Sequence, residues 1–203
     1  MKKIGFYGLG LIGGSLAKAI KEIYPDTVLL ATSGHVETIK EAYRAGVIVN
    51  DTLLPPEEFR GCELFILSAP VGKNIAYLPT LAAATGDETL ITDVGSVKGS
   101  IHEAARSLSL SNRFVGGHPM TGSERTGFGS ARAELLRGAY YLLTPETAVP
   151  EERLDELKAL LAALGSVPLL IRPEEHDRAT AAVSHLPHVI AATLVNLVQK
   201  TDN

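Results

Sequence analysis

The segment IGFYGLGLIGGSLAKAI, residues 4–20, restricts the fold more than any other stretch of the chain. An apolar run (4–8) ends on glycine, and a helical pattern runs from Leu11 to Ile23 until Pro25 stops it. Between them Gly8, Gly10 and Gly13 satisfy G-x-G-x-x-G, with Leu11 and Ile12 inside the pattern. That spacing alone is a weak signal. After a strand and at the mouth of a helix, it is the fingerprint of a dinucleotide-binding strand–helix–strand unit. Gly8 permits the tight turn, Gly10 lets a pyrophosphate approach the backbone, and Gly13 lets the helix lie close on its strand. The free N–H groups and partial positive charge at the helix N-terminus suit the phosphates. Two lysines before an apolar stretch also imitate a secretory leader, but the glycine spacing and the lack of a convincing cleavage site argue against one.

Strand-like and helix-like segments alternate through most of the remaining chain. The pattern predicts strands at 28–32, 63–70, 89–96, 113–119, 140–144 and 167–171. Helices are expected at 37–46, 74–84 (bent near Pro79), 98–108, about 129–137 and about 151–164. Such alternation implies an α/β fold with a mostly parallel, doubly wound sheet covered on both faces. The domain is expected to span residues 1–172. After Arg172-Pro173 the strand signals stop, and 174–200 reads as one long apolar helix, kinked at Pro187. A helix that apolar needs partner helices. Residues 173–203 are therefore read as the first helix of an all-α domain that is cut short or completed by another chain.

Composition excludes several classes. Formal net charge is −4 with no basic run, so nothing points to nucleic acid. No apolar run reads as long enough to cross a bilayer. Cys62 has no second cysteine to pair with, and a buried thiol in the reducing cytoplasm is expected.

In doubly wound sheets ligands bind beyond the carboxyl ends of the strands. The second strand ends in ATSGH (31–35), without the carboxylate that would hold a ribose 2′-hydroxyl. Thr32, Ser33 and His35 are candidate contacts there. Ser33 and His35 either receive a 2′-phosphate or are plain loop residues, so the cofactor is read as NAD(P). Ser68, Ala69, Pro70 and Val71 end the next strand with side chains small enough for a nucleotide to lie against the backbone, and Asp93 ends the one after. Beyond it lie Ser96, which either orients a substrate hydroxyl or caps the next helix, and Lys98, read as a solvated helix-start residue. GGHP (116–119) places His118 after a glycine pair. A neutral imidazole there is suited to draw a proton from a hydroxyl as hydride leaves the adjacent carbon; the alternative is a loop histidine capping a backbone group. His185 and His188, three apart in SHLPH, share a helix face. They make a poor zinc site, which leaves anion recognition across a cleft or helix packing.

The segments GLGLIGGSLA (8–17), SAPV (68–71), TDVGSVKG (92–99), FVGGHPMTGSERTG (114–127), LLTP (142–145) and HDRATAAVSHLPHVIAA (176–192) together resemble the prephenate and arogenate dehydrogenases of tyrosine biosynthesis. The resemblance covers nearly the whole chain, in the family's order and spacing. It implies NAD(P)-dependent oxidative decarboxylation of prephenate to 4-hydroxyphenylpyruvate, or the corresponding reaction of arogenate. His118 matches the family's catalytic histidine and Ser96 the serine that hydrogen-bonds the reacting hydroxyl. His188 matches a substrate-contacting histidine with His185 beside it, and Ser123 and Glu124 a pair bordering the substrate pocket. Family members continue past residue 203 into a helical dimerisation domain that carries a substrate-binding arginine, so the resemblance implies a homodimer at full length. Two other expectations stand beside it: another two-domain reductase with a helical-domain lysine, for which Lys200 lacks a polar setting, and a non-catalytic NAD(P)-binding fragment.

Overall fold

The computed structural model describes residues 1–201 of the chain; residues 202–203, the end of the expected helical segment, lie outside that range. Seven strands form one sheet: β1 (Lys3–Tyr7), β2 (Val28–Thr32), β3 (Leu64–Leu67), β4 (Leu90–Asp93), β5 (Phe114–Pro119), β6 (Tyr140–Pro145) and β7 (Val167–Leu170). Their order is β2-β1-β3-β4-β5-β6-β7, and every pairing is parallel except β5 with β6. The helices are α1 (Leu11–Ile23), α2 (Val36–Arg44), α3 (Val71–Ala84), α4 (Gly99–Ser107), α5 (Glu151–Ala163), α6 (Pro173–Thr180) and α7 (Leu186–Thr201). The expected doubly wound sheet is present.

The sheet is apolar on both faces because helices cover both. On one face Ile4, Phe6, Leu16, Ile20 and Leu29 pack with Leu157, Leu160 and Leu161 of α5. On the other, Phe59, Phe65, Leu78, Leu81, Ile101 and Phe114 form a second cluster that includes Cys62. Cys62 is fully buried, and burial pushes its thiol up to about 11, so it is neutral and inert at physiological pH.

Three expectations need correction. Residues 129–137 do not form one helix but two short 3₁₀ turns, Phe128–Ser130 and Ala133–Leu136. Gly127, Gly129 and Gly138 around them weaken any longer helix. The described stretch after Arg172, Pro173–Thr201, is helical throughout but not one α-helix: a π turn at Ala181–His185 joins α6 to α7. Pro187 has no N–H to give the carbonyl four residues back, and the wider turn just before it absorbs that mismatch. Because the helix continues through this point, Pro173–Gln199 is, by length and composition, long and apolar enough to cross a bilayer. Val183, Leu186, Val189, Ile190, Leu194 and Val195 on it are each more than half exposed.

Candidate active site

The glycine turn forms one wall of a cleft at the carboxyl ends of β1, β2 and β3. Gly8 has φ of +89°, and its N–H donates to the Thr32 carbonyl at 2.8 Å, tying the turn to β2. Gly10 is the N-cap of α1, no side chain caps that end, and its first turn has no acidic residue. A Cβ built on Gly10 would meet nothing within 4 Å, whereas one on Gly13 would lie 2.1 Å from Ser68 Oγ. Gly10 thus faces open space, and Gly13 is the close-packing glycine. Ser68 Oγ donates to the Gly8 carbonyl at 2.6 Å and locks the two loops together. The cleft encloses about 460 Å³, within the range of small-molecule sites. Its uncapped helix N-terminus and open Gly10 fit a nucleotide pyrophosphate.

Of the expected cofactor contacts, Gly8, Gly10, Ser33, His35, Ser68, Ala69 and Pro70 line this cleft. Leu11, Ile12, Gly13, Thr32 and Val71 are not in its wall. Tyr7, Thr38 and Lys73 are, although no motif singles them out, and so is Gly127, the last residue of the FVGGHPMTGSERTG segment. Lys73 carries the informative signal: a cation in the first turn of α3, immediately after the strand-end loop.

Asp93 belongs elsewhere. It is fully buried, and both its oxygens lie 2.5 Å from Lys98 Nζ, which is equally buried. Gly95 N–H donates to Asp93 Oδ2 at 2.8 Å, and Gly117 N–H to Oδ1 at 3.1 Å. Lys98 spends its third proton on the Gly117 carbonyl at 2.8 Å. Every donor and acceptor of the pair is satisfied, as a buried ion pair requires. Lys98 is therefore no solvated helix-start residue. The pair clamps the loop carrying Ser96 to the strand residue just before His118.

His118 stands at the end of β5 and lines a second cavity of about 300 Å³, together with Ser96, Pro119, Met120, Thr121, Thr180, Ser184 and His185. Its ring does not cap a backbone group. His118 Nδ1 lies 2.8 Å from His176 Nε2 in α6. Burial, then the neighbouring His176, Lys98 and His185, lowers the imidazole to about 4, against a smaller pull from Asp177. At neutral pH His118 is uncharged, the state a proton acceptor needs. Ser96 caps no helix either, because Lys98 is the N-cap residue of α4. The carboxylate of Asp177 takes over that end, accepting the N–H groups of Lys98 at 2.7 Å and Gly99 at 2.8 Å.

The remaining expected residues do not join this cavity. Ser123 and Glu124 lie in an exposed loop, where Ser123 Oγ accepts the Arg125 N–H and Glu124 sits 3.8 Å from the Arg125 guanidinium. His188 is exposed on α7, whereas His185, in the π turn, lines the cavity. Sequence reasoning misses His176 and Asp177. Both open the family-like segment HDRATAAVSHLPHVIAA (176–192), but nothing in that pattern gives either residue a role.

A mostly parallel sheet wound in this order, with a glycine turn opening into an uncapped helix, defines the dinucleotide-binding class of α/β domains. Comparison with known sequences narrows the class. Residues 16–170 match the model for the prephenate dehydrogenase nucleotide-binding domain, and residues 172–203 the model for the prephenate dehydrogenase dimerization domain. The chain belongs to the prephenate dehydrogenase family. It is 36% identical over 198 residues to the prephenate dehydrogenase of Bacillus subtilis, covering 97% of this chain and 53% of that protein. Prephenate dehydrogenase from Aquifex aeolicus, in complex with hydroxyphenyl propionate and NAD+, superposes with a TM-score of 0.90 at 31% identity, over 97% of this chain and 69% of that one. Synechocystis arogenate dehydrogenase gives 0.86 at 31%, over 96% and 68%. The chain spans about half the length of the first curated relatives it matches.

Proposed function

We propose that the protein is an NAD(P)-dependent prephenate dehydrogenase that oxidises and decarboxylates prephenate to 4-hydroxyphenylpyruvate. The observation that carries this reading is a neutral histidine, His118, facing the same cavity as Ser96. The cofactor, when bound, accepts the hydride. Ser96 holds the ring hydroxyl, and His118 takes its proton as the hydride departs and the carbon becomes a carbonyl. Loss of the ring carboxylate as CO₂ returns an electron pair to that oxygen, and His118 gives the proton back. The imidazole ends the cycle neutral, and the two electrons leave on the cofactor. His185, Ser184 and Thr121 offer polar contacts to the substrate; among the described residues, no Arg or Lys lines this cavity.

Gly8, Gly10 and the Ser68–Pro70 turn would hold the dinucleotide. Ser33, His35, Thr38 and Lys73 share the cleft with no carboxylate among its lining residues, which supports NADP over NAD. Similarity to an arogenate dehydrogenase keeps arogenate as a second substrate reading. We place the domain boundary at 172/173. The match to a dimerization domain and the exposed apolar side chains of α7 support a cytoplasmic homodimer, with partner helices rather than lipid covering that helix. The test is cofactor reduction, followed by absorbance, with prephenate and with arogenate, each with NAD+ and NADP+. Reduction with prephenate is expected, faster with NADP+. No reduction with either substrate rejects the reading.

A further inference from the structure

Behind His118, two side chains of α6 stand in file. His176 is wholly buried, with Nε2 2.8 Å from His118 Nδ1 and Nδ1 2.8 Å from Asp177 Oδ1. The same Asp177 carboxylate accepts the backbone N–H groups of Lys98 and Gly99. Burial works against its charge, but those two N–H groups and the His176 ring hold it below the usual carboxylate range. Asp177 is therefore ionised at neutral pH and only accepts hydrogen bonds.

The proton positions follow from that end of the file. Opposite an acceptor-only carboxylate, His176 Nδ1 must carry a hydrogen. With His176 taken as neutral, the premise on which the inference turns, it has one N–H, so its Nε2 is a lone pair. The His118 Nδ1 facing it must then be the donor, which leaves His118 Nε2 without a proton. We infer that His176 and Asp177 are positioning residues that set the tautomer of His118, so that the ring nitrogen left for the cavity is a lone pair and not an N–H. The inference rests on His118 acting as the base. In the other tautomer the same ring in the same place would present a hydrogen and could not accept one. The file also links the chemistry to α6, because a shift of α6 away from α4 would break the cap on α4 and the tautomer lock together.

Other charged groups near the ring do not dictate its tautomer. Lys98 and His185 contribute positive potential to it. The Lys98 ammonium and the Asp93 carboxylate spend their hydrogen bonds on each other and on Gly95 and Gly117.

Long-range ¹H–¹⁵N correlation of the histidine rings at pH 7, on this chain without substrate, reads the tautomers directly. The expected result is a protonated Nδ1 and an unprotonated Nε2 for both His118 and His176. In His176→Ala, His118 should revert to the Nε2–H form that free imidazole side chains prefer in water. In His176→Gln, which keeps a carbonyl acceptor, it should hold the Nδ1–H form. An Nε2–H signal for His118 in the unmodified protein overturns the inference, and that measurement needs no variant to fold. An unchanged His118 tautomer in His176→Ala overturns it as well, since it would reduce His176 to a packing residue. Because no turnover is measured, failure here is separate from failure of the dehydrogenase reading, which the absorbance assay decides.

Discussion

The two hollows at the carboxyl edge of the sheet are built in opposite ways. The nucleotide cleft is made of backbone and small residues: a turn at Gly8, an uncapped helix start at Gly10, and Ser68 holding the Gly8 carbonyl. It needs little charge, because the phosphates meet N–H groups and a helix dipole. The His118 cavity is made of side chains gathered from distant stretches: Asp93 and Lys98 below, His176 and Asp177 behind, Ser184 and His185 from the π turn. One hollow binds by leaving space, and the other acts by fixing protons and charges. Damage to the first should cost affinity, and damage to the second should cost chemistry or stability.

The largest effect expected from that contrast is in His118→Ala. Turnover with prephenate should fall by about 10²–10⁴-fold, the usual worth of a general base, while cofactor affinity stays within about twofold. Steady-state kinetics and a cofactor titration check this; a comparable loss in cofactor binding would merge the two hollows into one. Next comes Lys98→Met, which leaves Asp93 buried and uncompensated. Urea unfolding should show a loss of about 3–5 kcal/mol, and Asp93→Asn added to it should recover part. A near-neutral Lys98→Met would mean that the clamp under Ser96 and His118 contributes little to holding them.

Ser33→Asp probes the other hollow. It should turn preference from NADP towards NAD by about tenfold or more, through repulsion of the 2′-phosphate, without changing thermal stability. Unchanged preference would show that Ser33 does not face the ribose. The smallest effect is in pH. His118 sits lower in the fold, at about 4, than its ordinary 6.5, and His102 is lowered too, chiefly by burial. Between these values the unfolded chain binds more protons, so stability should fall as pH drops from about 6.5 towards 4. His118→Gln should flatten that slope in urea unfolding measured across the window; an unchanged slope would assign the pH dependence to other groups.

The same contrast explains what is legible in the sequence. The glycine turn of the cleft arises from residues adjacent in the chain, so Gly8, Gly10 and the bounds of β2 can be read from local pattern, although Ser68 reaches the Gly8 carbonyl from 60 residues away. The cavity depends on separations such as Lys98 to Asp177 and His118 to His176, which no local pattern encodes. For that reason the sequence presents Lys98 as solvated and Asp93 as a cofactor contact, when each exists for the other. His118 itself is legible because the glycine pair before it is unusual. A Cβ on Gly116 would lie 2.3 Å from Thr144 Oγ1, and one on Gly117 2.5 Å from the Asp93 carbonyl. Helical continuity through Pro187 is legible in the apolar run 174–200, but the π turn just before it is not, because a π turn has no composition of its own.

The most direct test is a crystal structure of the protein with NAD(P)+ and a phenolic product analogue bound together. The account predicts the phenol oxygen within hydrogen-bond reach of His118 Nε2, about 2.6–3.2 Å, with Ser96 Oγ on the same oxygen and the nicotinamide alongside the ring. A phenol seated away from His118, or a nicotinamide that does not reach the His118 cavity, would contradict it.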